Sequence, residues 1–404
     1  MYDVYMTHPA SKEKLNGTVT VWSNSYGTPT GYGVQTEYLI DRLVKHGANT
    51  AMLSNFGHQG QITKLETAHG KIDHFPMGAS PYSQDVAPLD HMTFAARYPQ
   101  KDLLVTLYDV HVLKSPYYDK IDKIASWTPL DHVTMPKNVE AWLHRSNVTP
   151  IAMSPFGKRE MDARGIENVY IPHGIDTKVM KPTELLPSGQ NVREYMKTED
   201  KFVVGMVAAN KATGMVHRKA FSENILAFSL FNKKHPDSVL YIHTDPLGSM
   251  GGWNLLELVR GCGISEDSVI FPNSQEYRYG IPQVQLAALY TGMDVLLATS
   301  YGEGFGVPTI EAQSCGTKVI GSGWAATQDL VADDGWLVDG QPDWDAGQHA
   351  WWQKPSVPSI VNALELAYNS NRGTSELARK FAKQFDVDKV WYESWLPFLK
   401  GQLR

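Results

Sequence analysis

Residues 303–311 read EGFGVPTIE. Two carboxylates, Glu303 and Glu311, bracket a loop that carries Gly304 and Gly306, and Pro308 precedes the second acid. A carboxylate accepts hydrogen bonds from two vicinal hydroxyls, so one acid suits a ribose diol and the other a hexose. The glycines let backbone amides come close to a ligand and offer donors to anionic or hydroxyl oxygens. Spacing alone does not decide the matter. An acid near a helix N-terminus is stabilising by about 0.3–1 kcal/mol whatever else it does.

Other stretches carry chemistry of the same kind. GMVAANKATGMVHRK (205–219) ends a strand, crosses a loop and opens a helix with Arg218 and Lys219, with Asn210 nearby. A planar guanidinium fork beside a point charge suits a diphosphate, although a solvated helix start uses the same residues. In SNSYGTPTGYGVQTEYL (23–39), Gly31 and Gly33 flank Tyr32 ahead of a helix. That helix N-terminus can face phosphate or sugar, or the glycines can simply make a tight turn. SWTPLDHVTMP (126–136) sets Asp131 and His132 just beyond a strand, with a plain helix cap as the alternative. We favour Asp131 there; Asp109 and His111 in YDVHVL (108–113) are rivals. His173 reads as structural. Trp344, Trp351 and Trp352 could stack on an acceptor, but packing is the commoner fate of such rings.

The elements that must position these residues alternate between short β-branched runs and helix-length amphipathic stretches. GTVTVWSN (17–24) predicts a strand, and VQTEYLIDRLVKHG predicts a helix from Leu39, Ile40, Leu43 and Val44, stopped at Gly47. TAMLSN, DLLVTLYD and KIASWTP continue the first series; the near-continuous apolar run of the middle one fits a sheet covered on both faces. A second series starts at KFVVGMVAAN (201–210) and runs through SVLYIHTD, SVIFPN, MDVLLATS and TKVIGS. Pro308 suits a first helical turn and Gly316 a helix end. The expectation is an α/β protein of two doubly wound, Rossmann-like domains. Residues 1–180 form one and 201–384 the other; 181–200 is the linker, and 385–404 is a terminal amphipathic helix. Ligands in such folds sit at the C-terminal ends of strands, and a cleft between two facing domains is the natural site.

Length and composition agree with this. At 404 residues two domains are the default, and 42% apolar with 20% charged residues is ordinary for a globular protein. A net charge of −6 argues against wholesale attraction to nucleic acid or anionic membrane. Two isolated cysteines, Cys262 and Cys315, indicate no disulfide framework and fit a reducing cytoplasm. The N-terminal stretch lacks the features of a signal peptide, and no long apolar run predicts a membrane span.

SYGEGFGVPTIEAQSCGTKVI (300–320) closely resembles the signature of retaining GT-B glycosyltransferases, in the large family with glycogen synthase-like and mannosyltransferase members. The resemblance is dense at 154–176, 201–219 and 290–321. It implies a GT-B fold whose two domains face a central cleft. It further implies transfer of a sugar from a nucleoside diphosphate donor to an acceptor hydroxyl, with retention and without a metal or other cofactor. Glu303 would contact the donor sugar and Glu311 the ribose, with Gly304, Phe305, Gly306 and Val307 as backbone contacts. Arg218 and Lys219 would hold the pyrophosphate, near Asn210. Gly31, Tyr32 and Gly33 match the family's N-terminal glycine loop, and Asp131 or His132 the residue of the N-domain face. The acceptor (small molecule, glycan, protein or modified nucleobase) stays open. A sugar-nucleotide epimerase of GT-B shape and a non-catalytic sugar-binding module are the rival readings. The length and the lack of a pyridoxal phosphate lysine segment set aside a phosphorylase.

Overall fold

The computed structural model describes residues 13–212, 216–249 and 251–404. The reading of the extreme N-terminus as free of an export signal, and the middle of the 205–219 stretch, lie outside the described residues. The chain divides into two compact units. The described residues up to Pro129, with Met135–Gly174 and Val387–Arg404, make the first; Leu130–Thr134 and Ile175–Asp386 make the second.

The first unit is built on β1 (Thr18–Asn24), α1 (Gly31–Lys45), β2 (Asn49–Phe56), β3 (Thr63–Thr67), β4 (Gly70–Phe75), α2 (Ala87–Ala95), β5 (Asp102–Leu107), β6 (Ile124–Thr128), α3 (Lys137–Leu143), β7 (Val148–Ala152), α4 (Pro155–Asp162) and β8 (Val169–Tyr170). Its sheet runs β3-β4-β2-β1-β5-β6-β7-β8, parallel throughout except for the β3–β4 pair. The strand order reverses between β1 and β5, the switch point of a doubly wound sheet. Every residue of β1 and β6 is buried, as a sheet covered on both faces requires. Leu39, Ile40 and Leu43 of α1 supply part of that cover.

The second unit comprises α5 (Val192–Met196), β9 (Phe202–Val207), α6 (Phe221–Asn232), β10 (Ser238–His243), α7 (Leu255–Gly261), β11 (Val269–Ile270), α8 (Ser274–Tyr279), α9 (Gln283–Thr291), β12 (Val295–Ala298), α10 (Val307–Ser314), β13 (Lys318–Ser322), β14 (Trp336–Val338), β15 (Gly340–Asp345), β16 (Ala350–Pro355), α11 (Val357–Tyr368) and α12 (Glu376–Ala382). Its parallel sheet runs β11-β10-β9-β12-β13-β14, a Rossmann order with the switch between β9 and β12. One apolar layer joins α6 and α11 to the sheet through Phe221, Phe228, Phe231, Ile360 and Leu364. The antiparallel hairpin β15–β16 stands apart from the alternation.

Two differences from the sequence reading have physical causes. Residues 181–200, expected as a linker, are folded into the second unit. Leu186, Val192 and Met196 are buried against Val203, Leu289, Tyr290 and Met293, and Arg193 pairs with Asp294 at 2.9 Å. The prolines and polar residues around them masked three well-spaced apolar anchors. The unit boundary accordingly falls at Gly174, and Leu130–Thr134 counts with the second unit. The terminal stretch is not one regular helix: α13 (Val387–Val390) passes through a wide turn at Trp391–Trp395 into α14 (Leu396–Gln402). No helix among the described residues is long and apolar enough to cross a membrane.

Candidate active site

The switch point of the second sheet lies between the C-terminal ends of β9 and β12, and both ends feed loops that carry the candidate residues. The loop after β9 leads to Arg218 and Lys219, just ahead of α6; the loop after β12 holds Glu303 and opens α10. The two are clipped together by backbone and side chain. Tyr301 N–H donates to the Arg218 carbonyl at 2.8 Å, and Asn224 of α6 donates to the Thr299 carbonyl at 3.1 Å. Two glycines are required by this geometry. A Cβ on Gly302 would stand 2.2 Å from the Asp131 carbonyl oxygen, and Gly306 caps α10 with φ 98°, a left-handed conformation open to glycine.

Glu303 is the hub. Its Oε1 accepts from Lys219 Nζ at 2.5 Å and its Oε2 from Arg218 Nη1 at 2.9 Å, while Arg218 also donates to the Gly302 carbonyl. Asp131 Oδ2 lies 3.9 Å from Arg218, and its Oδ1 is 2.6 Å from His132 Nδ1. His132 Nε2 is 3.1 Å from Asp345 Oδ2 of β15, and its ring stacks on Trp352 of β16 with centroids 4.7 Å apart. Three carboxylates thus interleave with Arg218, Lys219 and His132.

Burial alone would raise the Glu303 carboxyl, but the Arg218 and Lys219 charges hold it down at about 2. Burial likewise opposes ionisation of Asp131, which His132 and then the two cations bring down to about 2. His132 is pulled down by burial, yet the hydrogen bonds and charges of Asp131 and Asp345 prevail and raise it. Lys219 is lowered by burial and by Arg218 against the pull of Glu303. The Glu303 and Asp131 carboxylates are therefore ionised throughout the neutral range.

Glu311 lies one turn into α10, buried, accepting from the Tyr290 hydroxyl at 2.9 Å; burial raises its carboxyl to about 7. The first turn of α10 contains no acid, and its cap offers no side-chain hydrogen bond, so backbone amides and Pro308 alone make that end. Phe305 turns its ring inward against Phe385, so any ligand contact there falls to its backbone.

The structure brings Glu303, Arg218, Lys219, Asp131 and His132 together, with Gly304, Gly306, Val307 and Glu311 on the loop and helix that follow. Two of the candidate residues have the groups expected to face the donor engaged within the protein. Asn210 is not a donor-facing amide: its NH₂ donates to the Asp245 and Trp253 carbonyls, and its oxygen accepts from His217 and the Trp253 amide, which uses the side chain fully. Gly33 does not present its N–H, which donates to the capping Thr30 hydroxyl at 3.0 Å. Gly31 and Gly33 begin α1 of the first unit, and Tyr32 packs edge-on to Tyr108 and His173. His173 is buried and held by burial at about 3, a neutral structural histidine. Asp109 and His111 also belong to the first unit. Of the tryptophans, Trp352 is buried under His132, while Trp344 and Trp351 face each other, exposed, on the hairpin's other side. Sequence reasoning missed Asp345, Gly302 and Tyr290. Neither GQPDWD nor AWWQKP alternates apolar with polar residues, so the hairpin that carries Asp345 left no period-two signal in the sequence.

Among the described residues no group of three or more His, Cys, Asp and Glu side chains is arranged to hold a metal ion. Two doubly wound units, with polar loops at a switch point, define the GT-B class of fold. The structure superposes on sucrose-phosphate synthase from Thermosynechococcus elongatus with a TM-score of 0.68 at 17% identity, covering 96% of this chain and 98% of that one. It superposes on Anabaena HepE, solved in complex with UDP, with a TM-score of 0.64 at 17% identity over 95% of this chain and 100% of that one. Residues 190–348, within the second unit, match the model of the family Glycosyl transferases group 1. An uncharacterized glycosyltransferase of Sulfolobus islandicus rod-shaped virus 1 is 23% identical over 60% of this chain and 70% of its own length. D-inositol 3-phosphate glycosyltransferase of Mycolicibacterium smegmatis is 38% identical over 140 residues, 34% of this chain and only 28% of the relative.

Proposed function

We propose that this chain is a retaining glycosyltransferase that moves a sugar from a nucleoside diphosphate donor to an acceptor hydroxyl without a metal ion. The observation that carries the reading is the Arg218–Lys219–Glu303 cluster at the switch point of the second sheet, next to the amide end of α10. Arg218, Lys219 and the α10 amides bind the diphosphate. Glu311 accepts from the ribose diol, and Glu303 from hydroxyls of the sugar. The bond between the anomeric carbon and the phosphate oxygen breaks as the acceptor oxygen bonds to that carbon from the same face. The departing phosphate oxygen takes the acceptor's proton, so no protein nucleophile is needed. Two fixed cations supply the charge stabilisation that a metal gives elsewhere.

The likeness to HepE, solved with UDP, makes uridine diphosphate the first probe. Titrated with UDP, GDP and ADP in EDTA, the protein is expected to gain thermal stability with at least one of them. Arg218→Ala is expected to weaken that ligand by about 10- to 100-fold, one lost charged hydrogen bond. No stabilisation by any diphosphate, or binding only with Mg²⁺ or Mn²⁺, sinks the reading. Release of free sugar from the donor without acceptor separates a transferase from a binding module, and the anomer formed, read by NMR, decides retention.

A further inference from the structure

The β15–β16 hairpin lies outside the strand–helix alternation, yet it reaches the centre of the ionic cluster with two side chains. Asp345 comes to 3.1 Å from His132 Nε2, on the far side of the ring from Asp131 at 2.6 Å from Nδ1. A carboxylate at each nitrogen means that the imidazole donates twice, which only its cationic form does. Trp352 lies under the ring at an interplanar angle of 23°, and an indole face is the aromatic surface that best holds a cation. The backbone fixes the same register, Val133 and Trp351 exchanging both N–H···O bonds at 3.0 and 2.6 Å.

We propose that Asp345 and Trp352 are positioning residues for the transfer: they hold His132 as the partner of Asp131, and thereby keep the Asp131 carboxylate from claiming Arg218. The inference rests on the reading above, in which Arg218 serves the diphosphate. Asp131 Oδ2 stands only 3.9 Å from Arg218, too far for a hydrogen bond but close enough to close on it. Without a charged His132, the half-buried Asp131 carboxylate would either turn to that guanidinium or take up a proton. Other charged groups of the cluster and the hairpin have partners of their own. Lys219 and Glu303 pair at 2.5 Å, and Lys354 of the hairpin pairs with Glu223 of α6 at 3.3 Å.

The test is a titration of the His132 ring nitrogens by NMR on the full chain, the signal assigned by its loss in His132→Gln. Wild-type His132 is expected to lose its proton above the ordinary histidine value of about 6.5. Asp345→Asn, nearly isosteric, is expected to lower that midpoint by about one pH unit, the scale of a lost charged hydrogen bond. Asp345→Glu is expected to restore much of it, and the alkaline limb of donor turnover should move with the midpoint. A wild-type midpoint at or below the ordinary value, or one unmoved in Asp345→Asn, overturns the inference and leaves Asp345 a brace for the hairpin. The titration needs no turnover. An unmoved His132 in a protein that binds nucleoside diphosphate therefore sinks this inference alone, whereas absent nucleotide binding sinks the proposed function.

Discussion

The Glu303 carboxylate spans 2.5 Å to Lys219 and 2.9 Å to Arg218, so a phosphate arriving at those cations has to compete with it. On the proposed function that competition would give Glu303 its role: once displaced, it would have lost two charged partners and would gain by accepting from sugar hydroxyls of the same ligand. Glu303→Gln is therefore expected to bind free UDP as tightly as wild type or tighter, by calorimetry, while transfer falls by about 100-fold. Weaker UDP binding in that variant would show that Glu303 does not stand against the diphosphate. Glu311 makes a separate prediction. Burial raises its carboxyl from 4.5 to about 7, although the Tyr290 hydroxyl pulls the other way. A raised folded-state value means that its contribution to stability is whole below the unfolded value and is lost as pH rises through about 7. The loss is on the order of 3 kcal/mol. Glu311→Gln should flatten the thermal stability profile across that window, and a slope as steep as wild type would assign the burial penalty elsewhere. Glu303 and Asp131 act in the opposite sense and at another pH: both are depressed to about 2, so their contribution is lost only as pH falls toward that value.

The loop from Ser300 to Gly306 shows what the sequence made legible. Its one acid, Glu303, and its glycines fall within one short stretch, and local chemistry explains the end of it: Gly306 takes a left-handed cap, and Pro308 follows in the first turn. Gly302 is different, because its reason is the Asp131 carbonyl, far away in the chain. Gly302→Ala is expected to push Asp131–His132 off the cluster and to abolish transfer, with UDP affinity changed by less than about tenfold. Equal loss of both would mean that the loop itself had collapsed. The core strands of both sheets were readable from apolar runs, since burial on two faces writes itself into composition. The hairpins β3–β4 and β15–β16 were not, because short strands with one exposed face carry charge and proline where a buried strand would not. Asn210 carries a related ambiguity: an amide after a strand can serve a ligand or its own loop, and here its four hydrogen bonds stay within the protein.

Each sheet reverses its strand order once, and in each a glycine-bearing segment follows a strand at that reversal: Gly31 and Gly33 in the first turn of α1 after β1, Gly302 to Gly306 in the loop after β12. The second unit is continuous from Ile175 to Asp386 apart from Leu130–Thr134, and contains Arg218, Lys219, Glu303 and Glu311. A fragment spanning 175–386 is expected to fold and to bind UDP within about tenfold of the full chain, the cost of one lost contact. Failure to bind would place part of the nucleotide site outside that unit. The first unit is not continuous. Trp391 donates to His46 at 3.0 Å and Trp395 packs edge-on to Trp127 at 4.9 Å, so its core takes two indoles from beyond the second unit. Chains usually mature domain by domain in the order of synthesis, but here a ribosome must finish the second unit before the first can be sealed. A nascent chain halted short of Val387 should display a protease-resistant second unit and a first unit still open at Trp127 and His46. The part made first is the part completed last.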